Sequence, residues 1–249
     1  MGAVLVLSLT ACLSSSTKHT SAEVMLDERM ANVLLHEERW ADAERVFRDV
    51  VKADPRNPSV HDGLGVSLLS QGRVKEAVEW FDKAVKYAPE GALYRIHRGM
   101  ARTQSGDYPG AEEDFKWAAS STSPDDQLDL AIQRGRLKQR RGDFAGAEAL
   151  FEEALSRDPR NFTAVLGRGV SREAQGKMEP AAQDYLDAVK LQPKNAEANL
   201  RLGLALVSLH REVLGRRYLE RTADLDPGGE AGSKARLILE SLGPETRRQ

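Results

Sequence analysis

The sequence has few of the residues on which several large classes of function depend. Its 249 residues include one cysteine, which excludes an internal disulfide. The 5 histidines are scattered without the spacing of a metal site. Basic residues (36) nearly balance acidic residues (38), so the net charge of −2 gives no general attraction to nucleic acid or to an anionic membrane. We therefore expect a folded protein that uses no metal and no other cofactor.

Motifs of common enzymes are also missing. The stretch "HDGLGVSL" has two glycines, but it lacks the third glycine and the preceding strand of a nucleotide-binding loop. There is no Gly-x-Ser-x-Gly nucleophile elbow. Carboxylates are abundant, but they fall mostly on predicted solvent-facing sides of helices. We therefore predict that the chain is not an enzyme.

The cysteine lies at the end of a short apolar run. Residues 2–13 are apolar or small, and the run is far shorter than the ~20 residues that a membrane span needs. A short apolar region that ends in small residues is typical of a secretory signal. The run ends Leu9-Thr10-Ala11-Cys12, which resembles the bacterial lipobox: an aliphatic residue, a small residue, glycine or alanine, then cysteine.

The lipobox resemblance implies a lipid anchor. In that family the cysteine thiol receives a diacylglyceryl group and cleavage makes the cysteine the new N-terminus, so residues 1–11 would be a signal peptide. Residues 12–23 are serine-rich and are predicted to be a flexible tether. Leu13 follows the cysteine where aspartate would imply the inner membrane, so the resemblance implies the outer membrane, facing the periplasm. The first basic residue is Lys18, which leaves an ordinary apolar N-terminus with an incidental Cys12 as the alternative.

Most of the remaining chain is one pattern written several times. The segments "GRVKEAVEWFDKAVKYAPE", "GDFAGAEALFEEALSRDPR" and "GKMEPAAQDYLDAVKLQPK" share glycine, alanine, an aromatic residue, a second alanine and proline at the same spacing. This pattern resembles the tetratricopeptide repeat, a helix–turn–helix unit of about 34 residues. Six repeats are predicted, over residues 24–57, 58–91, 92–125, 128–161, 162–195 and 196–229.

The resemblance implies an all-α, right-handed superhelix, or α-solenoid. Small residues such as Gly65 and Ala77 would let the two helices of a repeat approach closely, and aromatic residues such as Phe81 would fill the space beside them. No repeat buries its apolar face alone, so stability would come from stacking neighbours. Residues 230–249 are predicted to form a capping helix and a tail, with Ala235, Ile238 and Leu239 covering the last repeat.

Two places depart from the repeat. Asp126 and Gln127 are extra residues between the third and fourth repeats. Because Ser123 is a good N-cap, we expect the next helix to begin early and to change the local twist. In the sixth repeat, His210 replaces the glycine of the turn between the two helices.

The resemblance also predicts where a partner would bind. In the family, five positions of each first helix line the concave groove. Here the candidate groove residues are Val66, Leu69, Leu93, Ile96, Met100, Ile132, Arg136, Gln139, Arg140, Leu166, Val170, Leu200, Leu204 and Val207. Many are apolar, and a large exposed apolar surface usually marks a partner site. The alternative is that superhelical curvature, or the N-terminal segment, hides these residues.

Basic residues are concentrated on the first helix of the fourth repeat, in "IQRGRLKQRRGD". Without interleaved aromatic residues they do not predict a nucleic-acid site. They form either a solvated helix face or a place where Arg136 and Arg140 meet an acidic spot on a partner. The lysine–asparagine clamp with which some family members hold a peptide C-terminus is absent, since Glu28, Ser59 and Gly63 occupy its positions.

These features together predict a lipid-anchored periplasmic scaffold that holds an envelope protein in its groove. As a predicted six-repeat lipoprotein of this size, the chain resembles tight-adherence (Flp) pilus assembly lipoproteins and pilotins. That resemblance implies a secretin, a pilus-assembly protein or another envelope protein as the partner, no nucleic acid, and membrane contact through the lipid only. An adaptor for peptidoglycan hydrolases is the alternative, and an enzyme with a site built across repeats is a remote one.

Overall fold

The described chain is entirely helical. The computed structural model describes residues 21–120 and 123–243. Within those ranges there are 13 α-helices and no strand, which confirms the all-α prediction. In chain order they are α1 (Ser21–His36), α2 (Trp40–Ala53), α3 (Pro58–Ser70), α4 (Val74–Tyr87), α5 (Ala92–Ser105), α6 (Tyr108–Ala118), α7 (Pro124–Arg140), α8 (Phe144–Arg157), α9 (Phe162–Ala174), α10 (Met178–Leu191), α11 (Ala196–Ser208), α12 (Glu212–Leu225) and α13 (Glu230–Leu242).

Consecutive helices form six pairs, from α1 with α2 to α11 with α12. The two helices of a pair pack on each other, and the second helix of most pairs also packs on the first helix of the next pair. Short turns make the partners in a pair antiparallel. The pairs therefore stack into a superhelical solenoid in which every first helix faces the same side.

The ends of the helices follow from local residues. Asn57, Asn161 and Asn195 cap α3, α9 and α11, and each side-chain oxygen accepts a backbone N–H bond at 2.9 to 3.1 Å. Helices α2, α4, α8, α10 and α12 each end two residues before a proline, which cannot continue a helix. Helix α1 begins at Ser21, inside the segment predicted as a flexible tether. That tether prediction is too long, since residues 21–23 already form the first turn of the helix.

The stacking changes between α6 and α7. Asp126 and Gln127 lie in the first turn of α7, which has 17 residues, and the Ser123 hydroxyl accepts a bond from the Asp126 amide at 3.4 Å. The predicted early start of this helix is therefore confirmed. Helix α7 packs more on α5 than on α6, whereas elsewhere a first helix packs mainly on the second helix of the preceding pair. At this junction two first helices therefore pack on each other more extensively than elsewhere in the described chain.

The last helix closes the solenoid as predicted. Ala235 is fully buried, and Ile238 and Leu239 are half-buried against Leu200 and Leu219. The backbone oxygen of α13 at Leu242 accepts a 2.8 Å bond from Arg216. Helix α13 therefore covers an apolar end that would otherwise face water.

The turns inside the pairs need a left-handed residue. Four of them use glycine with φ between 76° and 85°: Gly72, Gly106, Gly142 and Gly176. In the first and last pairs the same place is held by Glu38 (φ 59°) and His210 (φ 57°). A residue with a Cβ costs about 1–2 kcal/mol in this conformation, so these two turns are strained relative to the other four.

We predict that His210→Gly raises the free energy of unfolding by about 1 kcal/mol, because it removes the Cβ clash from a left-handed residue. Chemical denaturation monitored by circular dichroism measures the change. Gly142→Ala is the matched control, with an effect of opposite sign. A destabilised His210→Gly protein would mean that the histidine side chain stabilises the turn by another route.

Candidate partner-binding site on the concave face

Ten of the fourteen predicted groove residues reach the surface formed by the first helices. Leu93, Arg136 and Arg140 are exposed. The half-buried residues are Val66, Met100, Gln139, Leu166, Val170, Leu204 and Val207. They lie on α3, α5, α7, α9 and α11, so the surface runs along most of the solenoid.

The other four residues belong to the core, and the prediction that they line the groove is wrong. Leu69, Ile96, Ile132 and Leu200 are between 0% and 7% exposed. Ile96, for example, packs with Phe115 and other core residues of the third pair. Packing between neighbouring helices covers them, so the alternative that the fold hides apolar groove positions holds for these four.

A cleft of about 470 Å³ opens at the middle of this surface. Its walls come from α5, α7 and α9, with Phe144 at the start of α8. The lining residues are Met100, Thr103, Gln104, Gln133, Arg136, Gln139, Arg140, Phe144 and Val170. Five of these were predicted from the groove positions. Gln104, Gln133, Thr103 and Phe144 were missed, although Thr103 and Gln104 occupy groove positions of α5 and could have been named on that ground.

Two glutamines of α7 that line the cleft make hydrogen bonds within the protein. The amide nitrogen of Gln139 donates to the Gly167 carbonyl oxygen at 2.8 Å and to the Ser171 hydroxyl at 2.9 Å, which ties α7 to α9. Gln133 is buried, and its oxygen lies 3.5 Å from Nη1 of Arg136. Gln139 is therefore a positioning residue, because its donor group is already occupied.

The two arginines give the cleft its charge. In the described part of the chain, neither Arg136 nor Arg140 forms an ion pair. The protein around Arg136 displaces water and lowers the pKa of its guanidinium, and the more distant charge of Asp129 offsets only part of that effect. The cleft thus holds positive charge that the chain's own carboxylates leave unneutralised.

A histidine–carboxylate pair lies nearby on the same side of the solenoid. Nδ1 of His97 on α5 is 2.9 Å from a carboxylate oxygen of Asp62 on α3. The centroid of the Phe81 ring on α4 lies 5.9 Å from the centroid of the His97 ring. Burial lowers the pKa of His97, but the charge and hydrogen bond of Asp62, with smaller contributions from Asp129 and Asp126, outweigh burial and raise it. The pair therefore links two neighbouring first helices while His97 is protonated.

The raised pKa predicts a pH dependence of stability. A histidine whose pKa is higher in the folded state stabilises the protein fully below its unfolded pKa of about 6.5, and that stability is lost as pH rises through the folded value. We expect wild type to be more stable than His97→Gln at about pH 6, with the difference shrinking as pH rises. Urea denaturation of both proteins at several pH values measures it. A difference that grows with pH would contradict the assignment.

Two further kinds of site are relevant to the described residues: a metal-binding cluster and a membrane-spanning helix. No group of three or more histidine, cysteine, aspartate or glutamate side chains there is placed to hold a metal ion. Among the same residues, no helix combines the length and the apolar character that a membrane span requires. Cys12 lies outside the described residues, so its predicted lipidation stays a prediction.

Comparison with known families identifies the repeats. A family model described as "Tetratricopeptide repeat" matches residues 29–92, 132–196 and 179–230. These ranges together cover more than half of the chain.

Curated relatives share the repeats only. The probable UDP-N-acetylglucosamine–peptide N-acetylglucosaminyltransferase SPINDLY of Hordeum vulgare is 31% identical over 93 residues, which is 37% of this chain and 10% of that protein. A DnaJ homolog subfamily C member 7 homolog of Dictyostelium discoideum is 23% identical over 236 residues, or 89% of this chain and 43% of that protein. This chain thus spans about a tenth of the first of these relatives.

Solved structures share the fold. A chain of the APC/C hetero-tetramer Cut9–Hcn1 matches with TM-score 0.75 at 16% identity, over 85% of this chain and 42% of that one. PilW, a type IV pilus biogenesis factor, matches with TM-score 0.73 at 16% identity, over 87% and 99% of the two chains. PilF of Pseudomonas aeruginosa matches with TM-score 0.68 at 18% identity, over 86% and 97%.

Proposed function

Because this chain belongs to the tetratricopeptide repeat family, we propose that it is a non-enzymatic, lipid-anchored scaffold that holds an envelope-assembly protein on its concave face. The observation that carries the proposal is the surface of α3, α5, α7, α9 and α11. It combines accessible apolar side chains, such as Leu93 and Met100, with the unneutralised arginines of the cleft. A surface with apolar residues beside charged ones is typical of a site for another protein.

The class of partner follows from the likeness to pilus proteins. The chain matches PilW and PilF over nearly their whole length, and not only over a shared repeat region. At 16% and 18% identity this likeness shows the fold alone. As support for a proposal it favours a partner from pilus or secretin assembly. The secretin is our first candidate, since a scaffold anchored at the outer membrane would hold it where it must oligomerise.

In the proposed scaffold, Cys12 carries the lipid anchor. Only residues 13–20 separate it from the start of α1. The tether predicted from the sequence would span roughly 15 Å over that length, at about 5–6 Å times the square root of the residue number. Acyl chains at Cys12 would therefore hold the first helix pair close to the membrane surface, in the periplasm.

We predict that Cys12 carries the lipid. Cells that express the wild type should incorporate labelled palmitate into the protein and retain it in the membrane fraction, because buried acyl chains contribute about 0.8 kcal/mol per methylene. Cys12→Ala should lose both properties, while the neighbouring Ser14→Ala should keep them. Equal labelling of wild type and Cys12→Ala would refute the lipobox assignment.

We predict that the apolar part of the concave face binds the partner. Leu93 is 39% exposed and Met100 is half-buried, so both can be changed with less risk to the core than the fully buried Ile96. Leu93→Glu combined with Met100→Glu should weaken binding of the purified secretin about a hundredfold or more, because each apolar side chain buried in an interface contributes roughly 1.5–3 kcal/mol.

The matched control is Leu214→Glu with Leu237→Glu. Both leucines are exposed, at 47% and 65%, and they lie on α12 and α13 at the far end of the solenoid. Circular dichroism establishes that both double variants are folded, and surface plasmon resonance measures binding. If the control weakens binding and the groove variant does not, the partner binds at the C-terminal end.

A further inference from the structure

Arginines of the first helices are usually neutralised by carboxylates of this chain. Arg98 and Arg102 on α5 both bind the fully buried Asp114 of α6, at distances down to 2.8 Å for Arg102. Arg168 and Arg172 on α9 bind the buried Asp184 of α10 in the same way, with Nη1 of Arg172 at 2.9 Å. These arginines are therefore already paired with carboxylates of this chain.

Arg136 and Arg140 of α7 are different. They lie four residues apart, which places them on one side of the helix with Cβ atoms about 5–6 Å apart. Both line the cleft, and neither forms an ion pair with any residue that the structure describes. Partial removal of water from Arg136, which lowers its pKa, leaves a cation that a ligand carboxylate would stabilise.

Two carboxylates that are close in sequence to cleft-lining residues are already occupied. Asp143 at the start of α8 binds Nζ of Lys138 at 2.8 Å and accepts the Gly146 amide at 2.9 Å. Glu173 on α9 accepts the hydroxyl of Tyr185 and lies 3.3 Å from Nη1 of Arg201. Neither carboxylate forms an ion pair with the two arginines, and the more distant charge of Asp129 offsets only part of the removal of water from Arg136. A carboxylate on another molecule would supply the direct ion pairs that this chain does not.

The cleft also has apolar lining residues, contributed by α5, α8 and α9. Met100, Phe144 and Val170 line it and are half-buried. The cleft volume of about 470 Å³ lies within the usual range of ligand sites. A ligand that fits this lining carries both carboxylates and an apolar side chain.

We propose that the cleft between α5, α7 and α9 binds an acidic peptide segment of the partner, with two side-chain carboxylates on Arg136 and Arg140 and an apolar side chain against Met100, Phe144 and Val170. The inference rests on the proposed scaffold function and names the chemistry that its partner presents. Two separate guanidinium groups on one helix face match two side-chain carboxylates better than the single carboxylate of a chain terminus.

Three peptide probes test the chemistry of the ligand. The first is an acetylated and amidated peptide of alternating glutamate and leucine. The second replaces each glutamate with glutamine, and the third is the glutamine peptide with a free C-terminal carboxylate. In fluorescence anisotropy with the full chain, we expect the affinity for the glutamate peptide to be about tenfold higher or more than for either glutamine peptide, and to fall as salt is added.

Equal affinity of the first and second probes, or no binding of the first, would overturn the proposal. A third probe as tight as the first would identify a chain terminus as the ligand and would also overturn it.

Paired variants test the residues. Arg136→Gln with Arg140→Gln should weaken the glutamate peptide about tenfold or more and flatten its salt dependence. The matched control is Arg134→Gln with Arg217→Gln, since both arginines are exposed, neither lines the cleft, and the net charge changes equally. The control should bind the glutamate peptide as wild type does. An equal loss of affinity in both double variants would mean that binding depends on the net charge of the protein and not on Arg136 and Arg140, and would overturn the proposal.

The two proposals fail in distinguishable ways. If Leu93→Glu with Met100→Glu abolishes secretin binding but Arg136→Gln with Arg140→Gln does not, the scaffold function stands and the acidic segment is wrong. If the glutamate peptide binds through the arginines but the secretin does not bind at all, the cleft is real and the partner is another acidic protein. Thermal denaturation of each variant establishes that lost binding does not reflect lost fold.

Discussion

The solenoid depends on aromatic rings that rest directly on glycine. A Cβ built on Gly135 would lie 2.9 Å from the ring of Phe151, and one built on Gly167 of the next pair would lie 2.5 Å from the same ring. Both distances are too short for any side chain to fit without movement. One ring therefore sets the separation of the helices within a pair and the step to the next pair. Gly65 on Phe81 and Gly169 on Tyr185 repeat the contact within their own pairs, at 2.6 and 2.7 Å. The even spacing of the first helices, and hence the concave face, follows from these contacts.

Because this contact needs particular residue types at fixed spacing, much of the fold could be predicted from the sequence. The prolines that end second helices and the Ser123 cap could be predicted for the same reason: each acts on the backbone within a few residues of itself. The solvent exposure of groove positions could not be predicted this way. Leu93 and Ile96 are both apolar and belong to one helix, yet Leu93 is 39% exposed and Ile96 is fully buried. That difference arises from side chains of other helices, which a one-helix pattern does not contain.

Whether a groove arginine is neutralised could not be predicted from a one-helix pattern either. The sequence places Arg136 and Arg140 on a groove-lining helix, but whether they are neutralised depends on carboxylates contributed by other helices. In the third and fifth repeats, the spacing between arginines and an aspartate does indicate that the arginines are neutralised. The arginine pairs 98/102 and 168/172 precede Asp114 and Asp184, respectively, by the same spacing. Comparing the repeats position by position would have shown that the fourth repeat lacks this aspartate, since Leu150 stands in its place. The arginines of the cleft also lie two positions later in their repeat than those pairs, at positions that line the groove.

The irregular junction and the cleft occur at the same place in the solenoid. In a regular array each first helix rests mainly on the second helix before it, and equivalent groove positions have equivalent surroundings. Here two extra residues lengthen α7, and α7 packs against α5. The cleft opens along this contact, with Met100 on one side and Arg136 on the other. The third and fifth repeats have Met100 and Val170 at the position of Arg136, so the charged site has no equivalent in either pair. Specificity for one partner requires such a departure, because a surface that repeats identically would bind a short segment equally well at several registers.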